Sequence, residues 1–312
     1  MDHFVNLKVY EIRWPESAYI EEKISTWFGS IQVSGRHLLI FIDGYSDCDE
    51  VIEFEDEIAD VANTHLHLAV SLNSGRFGYR RFDNFEGGFE FLNSEQSTSQ
   101  IPKFLIATSR NMYIVKKDSS GTSSQLLKVI DDMEPSGILN PPTSIQFPWP
   151  VRILDGDAGH DFMVLRDSTG NLFAMGTGTR GELGVGLIRR VDEPVHIEQL
   201  AGIRIAKVKC GGWHTVALTE HGDTYTWGWN RNGQLGKDKM ITEVYPVLID
   251  PEAEFSNSEQ DVSDVDTTEN TTIITLKTSS TGNSENAETT KEVTNRLVLG
   301  TDTSTIADFQ ID

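Results

Sequence analysis

The chain has 312 residues and carries 26 lysine and arginine residues against 48 aspartate and glutamate residues, a formal net charge of −22. This balance argues against DNA or an anionic membrane as the main partner, because both need a net basic surface, whereas basic proteins remain open as partners. The start of the chain lacks the features of a signal peptide, the longest apolar run is too short to span a bilayer, and two cysteines make no disulfide framework, so we expect a soluble intracellular protein.

Residues 1–150 contain several predicted strands. The apolar runs at 31–33 and 37–42 predict two strands that are separated by a glycine turn. The runs at 104–108 and 112–115 flank a short polar triplet and predict a hairpin. A proline-rich loop then separates this region from the rest of the chain.

One segment of this region predicts a helix. In residues 53–61, the apolar side chains Phe54, Ile58 and Val61 follow a 3.6-residue period. The carboxylates between them would then lie on the solvent side. We therefore predict a short acidic helix here.

Residues 151–251 contain two copies of one pattern, and most matched positions share one sequence separation, the separation of Gly170 from Gly222. Each copy predicts a buried strand, a glycine turn, a second strand that ends in glycine, and a glycine-rich turn. The two histidines are two positions further apart than the other matched pairs, so we assign two extra residues to the first copy. The repeated positions are His160, Gly170, Gly176, Gly181, Leu183 and Gly184, then His214, Gly222, Trp227, Gly228, Gly233, Leu235 and Gly236. Strand-rich repeats near fifty residues are typical of propeller blades.

The second copy, from Gly211 to Gly236, resembles a repeat of the regulator of chromosome condensation (RCC-type) family, through its Gly-Gly-Trp-His and Trp-Gly-Trp-Asn segments. The first copy is similar from Ala158 to Gly184, with Met175 where the family usually has tryptophan. The combination looks most like a small chromatin-associated member that partners a Jumonji-type histone demethylase. The resemblance implies an all-β fold, a seven-bladed β-propeller that serves as an interaction platform.

Residues 252–312 are acidic, rich in serine, threonine and asparagine, and free of tryptophan and tyrosine. Such a composition buries too little apolar surface to offset chain entropy, so we predict a mostly disordered tail. Two apolar islands, 272–276 and 296–299, each predict one weak strand.

The length also bears on the number of blades. At about 52 residues a blade, the residues before the tail hold fewer than five blades. We therefore expect an incomplete propeller, either truncated or open and dependent on a partner. Its organisation would be a divergent region at 1–150 with degenerate blades, two clear repeats at 151–251 and a disordered tail at 252–312. Whether 1–150 forms blades or a separate cap stays open.

Several patterns have both a functional and a structural interpretation. Residues 176–181 fit G-x-G-x-x-G, but a dinucleotide site needs a helix directly afterwards, and another glycine turn follows instead, which favours a blade turn. His160 and His214 recur with the repeat, which favours structural histidines over catalytic bases or metal ligands. His65 and His67 share a strand face without a third ligand, so we predict no metal site and no cofactor. The loop at 43–49 lacks the glycine and glutamate of a calcium loop.

Binding candidates come from exposed loops and from interleaved cations and aromatic residues. The glycine turns of the two copies contribute Arg180, Trp229, Asn230 and Arg231. The run at 76–82 contributes Arg76, Arg80 and Arg81, which could contact nucleic acid or a histone acidic patch, or could pair with nearby carboxylates. We expect Trp227 in the core and Trp229 at the surface.

These observations favour a non-enzymatic interaction scaffold in the nucleus, with a possible cytoplasmic pool. The acidic charge favours histones over bare DNA, and the resemblance adds a Jumonji-type demethylase as a partner. The alternative is a guanine-nucleotide exchange factor for a Ran-like small GTPase. A non-functional fragment is the third hypothesis.

Overall fold

The computed structural model describes residues 22–26, 29–42, 50–82, 88–92, 104–118, 120–134, 137–237, 241–249, 261–282 and 289–300. The regular structure in these ranges is β-strand apart from one short 3-10 helix, η1 (Glu198–Leu200). The predicted all-β class is therefore confirmed. Across these ranges the model contains no helix with the length and apolar character needed to cross a membrane.

Within the described residues the strands form six sheets, five of four strands and one of three, each built from strands that are consecutive in the chain. The first three sheets are β1 (Glu22–Thr26), β2 (Gly29–Ser34), β3 (His37–Ile42) and β4 (Glu50–Glu53); β5 (Ile58–Asn63), β6 (His67–Leu72), β7 (Phe77–Arg81) and β8 (Glu90–Phe91); and β9 (Phe104–Ala107), β10 (Asn111–Lys117), β11 (Ser124–Asp131) and β12 (Ile138–Ile145).

The next two sheets contain the repeats, and the sixth follows them. They are β13 (Ile153–Ala158), β14 (Phe162–Asp167), β15 (Leu172–Gly178) and β16 (Ile188–His196); β17 (Ile205–Cys210), β18 (His214–Thr219), β19 (Thr224–Gly228) and β20 (Glu243–Ile249); and β21 (Asp261–Thr267), β22 (Thr271–Gly282) and β23 (Thr289–Gly300). Five sheets thus precede residue 250, where we expected fewer than five blades. The reason is that each of the first two sheets takes up less of the chain than one clear repeat does.

The chain divides into two compact units, one within 1–59 and 72–74, the other within 60–71 and 75–312. In the first unit, β2 and β3 form the two predicted strands, and Gly35 turns between them with φ +57°. The predicted acidic helix is wrong, because residues 53–61 contain the end of β4, a bend at 54–57 and the start of β5. Between them Asp56 accepts the backbone N–H of Ser74, so its carboxylate stabilises a turn.

In the second unit the apolar side chains pack between the faces of consecutive sheets. Between the fourth and fifth sheets the core contains Phe162, Val164, Leu183, Val208 and Trp227. Full burial of one such side chain contributes about 1.5–3 kcal/mol. The predicted hairpin at 104–115 is confirmed as β9 and β10, which pair in antiparallel register.

The prediction of a mostly disordered tail does not hold for the sixth sheet. The two apolar islands lie on β22 and β23 and pair with each other, with Ile274 opposite Leu297. Val265, Ile274 and Leu276 are buried against Val216 on the fifth sheet. The composition argument considered the segment alone, whereas the neighbouring sheet supplies the apolar surface that the segment lacks.

The turns of the two repeats correspond residue by residue, and every matched pair of glycines has the same separation in sequence. Four pairs of glycines have closely similar positive φ angles: 84° and 91° at Gly170 and Gly222, 111° and 103° at Gly176 and Gly228, 77° and 80° at Gly181 and Gly233, and 71° and 68° at Gly184 and Gly236. We call the residue at this separation in the other repeat the repeat counterpart. The two extra residues assigned to the first copy do not exist, because the counterpart of His214 is Phe162, which pairs with Gly176 as His214 pairs with Gly228.

Candidate functional site

Five short loops of the second unit are joined by backbone hydrogen bonds. Each loop connects the first and second strands of a sheet, and its middle residue donates its N–H to the carbonyl of the next middle residue. The donor–acceptor distances are 2.7 Å from His65 to Ser109, 2.6 Å from Ser109 to His160, 3.1 Å from His160 to Gly212 and 2.9 Å from Gly212 to Glu269. These bonds hold the loops of the second to sixth sheets side by side and present their side chains on one surface.

The most distinctive side chains on this surface form what we call the Arg–Trp cluster: Arg180, Trp213 and Trp229. The two indole rings have centroids 5.3 Å apart and an interplanar angle of 86°, an edge-to-face pair. The guanidinium carbon of Arg180 lies 4.3 Å from the Trp213 ring centroid and 5.3 Å from the Trp229 ring centroid. All three residues are half-buried. The arrangement is therefore a cation held against two aromatic faces.

The backbone under the cluster is the same in both repeats, although the side chains differ. The N–H of Trp229 donates to the carbonyl of Trp213 at 2.9 Å, and the N–H of its repeat counterpart, Thr177, donates to the carbonyl of Asp161 at 2.8 Å. Asp161 is the counterpart of Trp213. Because the fourth sheet makes the same bond with aspartate and threonine, the blade fold does not require the two tryptophans.

His160 extends the cluster. Its ring centroid lies 4.5 Å from that of Trp213, its Nδ1 lies 3.0 Å from Ser109 Oγ, and its Nε2 lies 3.4 Å from Glu269 Oε1. The histidine side chain is 32% exposed, so His160 has the hydrogen-bonded, structural contacts that were predicted but does not lie buried inside the blade.

The Ser109–His160–Glu269 row has the order of a nucleophile, a base and an acid, but the loops do not provide an oxyanion site. The backbone N–H groups of Ser109, His160 and Gly212 all donate to the carbonyls of neighbouring loops. Acyl transfer needs such donors free to stabilise the developing charge. In the described loops the row therefore serves to connect three sheets. Sequence reasoning missed it because its members are 51 and 109 residues apart.

The other histidine that we predicted to be structural lies inside its sheet. His214 is fully buried at the start of β18, and its Nε2 lies 3.1 Å from Thr272 Oγ1. Cys210 is also buried, as predicted, and burial raises the pKa of its thiol well above the ordinary value. His65 and His67 do not share a face, because His65 is exposed in a loop while His67 is buried against Asp132, 2.7 Å away.

Two further interpretations can be compared with the structure. Gly176 and Gly178 end β15, and Gly181 lies in the turn that leads to β16, so the three glycines belong to the end of a blade strand and its turn, and a dinucleotide site lacks its helix. In the portion of the chain that the structure describes, no group of three or more potential metal ligands is present. The loop at 43–49 lies outside the described residues.

The predicted binding residues of the second repeat do not all reach the surface. Trp227 is fully buried and Trp229 is half-buried, while Arg231 is exposed. Asn230 is also fully buried, and its Oδ1 accepts the N–H of Leu235 at 2.9 Å, so its side chain stabilises the turn rather than contacting a partner. The structural counterpart of Arg180 is Asn232, not Arg231, because the N–H groups of Arg180 and Asn232 donate to the side chains of Glu182 and Gln234.

The predicted cationic run at 76–82 packs largely within its own sheet. The guanidinium of Arg76 lies 4.1 Å from the Phe91 ring centroid, Arg80 is 5% exposed, and Arg81 is half-buried. Nearby, Tyr79 donates to Glu90, and burial together with this carboxylate raises the pKa of Tyr79 to about 12. Arg80 is therefore not available to a partner, and this surface is a weaker candidate than the Arg–Trp cluster.

Glu182 supports the turn that positions Arg180. It is 1% exposed, and its backbone carbonyl accepts the Nε1–H of Trp227 and the hydroxyl of Thr215. Burial raises the pKa of its carboxyl above the ordinary value of 4.5. The ionised side chain therefore costs stability at neutral pH, and this cost disappears as the pH falls below the unfolded value.

Replacing Glu182 with glutamine, the residue at the counterpart position 234, tests this electrostatic cost. We compare the free energy of unfolding of the Glu182→Gln variant with that of wild type at two pH values. Between pH 4 and pH 8 we expect this difference to shift by about 1 kcal/mol in favour of the variant, because only wild type carries the buried charge. Urea unfolding at both pH values measures the difference. A difference between the proteins that does not change with pH would show that the carboxylate is not destabilised by burial.

Comparison with known proteins identifies the repeats. Residues 169–218 and 221–273 match the model of the regulator of chromosome condensation (RCC1) repeat, and 205–234 also match a second model of that repeat. RCC1 domain-containing protein 1 of Mus musculus is 44% identical over 85 residues, which is 27% of this chain and 22% of the relative. The chain thus spans about a fifth of the length of this curated relative. These matches support the RCC1 repeat family for the repeat region.

Solved structures show the same fold. The crystal structure of human WBSCR16 aligns with a TM-score of 0.56 at 16% identity, over 77% of this chain and 67% of that one. Prp20p from Saccharomyces cerevisiae, whose structure was described together with its binding properties to Gsp1p and histones, aligns with a TM-score of 0.54 at 14% identity, over 76% and 64%. The fold is therefore an RCC1-type β-propeller, with six sheets in the described residues where the resemblance implied seven blades.

Proposed function

We propose that this propeller is a chromatin-associated interaction scaffold that binds histones, a histone-modifying enzyme or both, and that it acts in the nucleus. An RCC1-type propeller supports a protein-interaction role in general. The proposal adds the chemistry of the partner. A net charge of −22 favours basic proteins, since complementary charge raises association rates and suppresses wrong pairings.

The Arg–Trp cluster is the observation that carries this proposal. Tryptophan and arginine are the side chains most often found at the energetic centre of protein interfaces. Here Trp213 lies on one of the hydrogen-bonded loops, Trp229 donates its backbone N–H to Trp213, and the guanidinium of Arg180 lies against both rings. The fourth sheet makes the same backbone hydrogen bond with aspartate and threonine, which supports a role for the tryptophans in recognition rather than in the fold.

A double variant, Trp213→Asp with Trp229→Thr, tests the proposal with residues that the fourth sheet already accommodates. We expect it to weaken binding of purified histones H3–H4 by at least tenfold, because loss of a central tryptophan typically costs about 2 kcal/mol or more. Biolayer interferometry on the full chain measures the affinity. Leu187→Ser is the control, because Leu187 is 70% exposed and outside the cluster, and its affinity should equal that of wild type. Absence of histone binding by wild type would contradict the histone proposal.

A Jumonji-type demethylase stays a second proposed partner. Affinity purification of the tagged chain from its own cells, with the double variant as the matched sample, tests it. Enrichment of such a demethylase with wild type and its loss with the variant would support the proposal. Equal recovery with both proteins would place that contact away from the cluster.

Exchange activity on a Ran-like GTPase is the alternative function. The observation that favours it is the shared propeller fold of Prp20p, whose structure was described with its binding to Gsp1p. A nucleotide-release assay with a Ran-like GTPase distinguishes the two proposals. Acceleration by the full chain would support the exchange factor, whereas an unchanged release rate would exclude it for the GTPase used.

A further inference from the structure

We infer that the corner between Trp213 and Trp229 is a recognition site for a methylated lysine side chain of the partner, and that Arg180 occupies this site when the partner is absent. The inference rests on the proposed interaction function and names the chemical group that the surface recognises. Two nearly perpendicular indole rings form the walls of the site. Aromatic walls of this kind are how proteins bind quaternary ammonium groups.

Arg180 shows that the corner accepts a cation. Its guanidinium contacts both rings, while the only hydrogen bond that the described residues give Arg180 comes from its backbone N–H, which donates to Glu182. The side chain is therefore held by the ring faces, an interaction of about 0.5–1 kcal/mol at exposed sites. A ligand cation can displace it at low cost.

Among the described residues of the corner, the guanidinium has no hydrogen-bond acceptor. This also determines which cation fits best. An unmodified ammonium group is strongly hydrated and loses those hydrogen bonds when it enters an aromatic corner. A trimethylammonium group has no N–H to satisfy and keeps its positive charge. The site therefore selects methylated lysine over lysine.

The surroundings of the corner favour a cationic ligand over an anionic one. Glu269, whose side chain is 55% exposed, lies beside His160, whose ring is tilted against that of Trp213. The carboxyl of Glu182 accepts the backbone N–H of Arg180. Together with the net charge of −22, these carboxylates attract basic segments and repel acidic ones.

All three members of the cluster are specific to this position in the fold. The counterparts of Trp213, Trp229 and Arg180 are Asp161, Thr177 and Asn232, which form no aromatic corner. The equivalent turns keep their hydrogen bonds with these polar residues. A structural role would be expected to require similar side chains at both positions, so the difference supports a ligand site.

The test uses the 312-residue chain and two probes, N-acetyl-trimethyllysine amide and N-acetyl-lysine amide, with NMR shifts of the backbone amide signals as the readout, because these signals remain in every variant. We expect the trimethylated probe to bind at least tenfold more tightly than the unmodified probe. Arg180→Ala should bind it roughly three- to fivefold more tightly than wild type, because the internal competitor is gone. The Trp213→Asp, Trp229→Thr variant should lose binding.

Three results would overturn the inference. They are equal affinity for both probes, unchanged affinity in the double variant, and weaker binding by Arg180→Ala, which would make Arg180 a ligand contact. Arg180 is only half-buried, so we expect the Arg180→Ala variant to fold. Its affinity for the trimethylated probe therefore still tests the inference if the double variant proves unstable.

The probe experiment also separates this inference from the proposed function. Histone binding that is indifferent to lysine methylation would overturn the methylated-lysine site and leave the scaffold proposal intact. Selective binding of the trimethylated probe without histone binding would support the site and contradict the histone partner.

Discussion

Trp227→Ala is expected to lower the free energy of unfolding by about 4 kcal/mol, as for other large-to-small substitutions in a packed core. The indole is fully buried among the apolar side chains between the fourth and fifth sheets. Its Nε1–H donates to the carbonyl of Glu182 at 2.9 Å, so truncation leaves both a cavity and a buried acceptor with one bond fewer. Urea unfolding followed by far-UV circular dichroism measures the loss without relying on tryptophan fluorescence.

The first repeat provides the matched control for this variant. Met175 is the counterpart of Trp227 and is buried in the equivalent strand. Trp227→Met should therefore cost about 2 kcal/mol, because methionine refills part of the cavity but cannot donate the hydrogen bond. Equal losses for the alanine and methionine variants would show that the hydrogen bond, not the volume, determines the stability.

The turns of the repeats could be predicted because their determinants are local. A glycine with positive φ and a short buried apolar strand leave a signal within a few residues, and the same signal one repeat later confirms which residues form the turn. Phe162 shows the limit of that reasoning. Matching His160 to His214 by residue type displaced the alignment by two residues, whereas the strand pairing identifies Phe162 as the true counterpart.

The remaining errors come from contacts between residues that are distant in sequence. The 53–61 segment fits a helical period, yet it forms strands because its neighbours offer strand partners. The sixth sheet is stable because Val265 and Ile274 pack on the fifth sheet, a surface that the composition of the tail does not contain. The Arg–Trp cluster likewise combines Arg180 with Trp213, which no local pattern connects. Arg180 and Trp229 were predicted as binding candidates, but their common site is a property of the assembled loops.

Gly228→Ala is expected to lower the free energy of unfolding by about 3 kcal/mol or more, from strain and overpacking together. Gly228 has φ +103°, and a Cβ built there would lie 2.5 Å from the carbonyl oxygen of Trp213 and 2.8 Å from the Cα of His214. Neither backbone atom can move without breaking the pairing of β18 with β19. The same displacement would separate Trp213 from Trp229, so the variant should also lose binding at the Arg–Trp cluster.

Gly233→Ala distinguishes the steric cost of an added Cβ from the cost of holding alanine at a positive φ angle. Gly233 has φ +80°, but a Cβ there would meet nothing within 4 Å, so its cost should be about 1–2 kcal/mol. Gly176, the counterpart of Gly228, has φ +111° and a Cβ contact of 2.3 Å with the carbonyl oxygen of Asp161, so Gly176→Ala should match Gly228→Ala. Equal costs at 228 and 233 would mean that the close approach of β18 is not rigid. The Arg–Trp cluster would then depend on loop contacts alone, and Gly228→Ala would retain its ligand affinity.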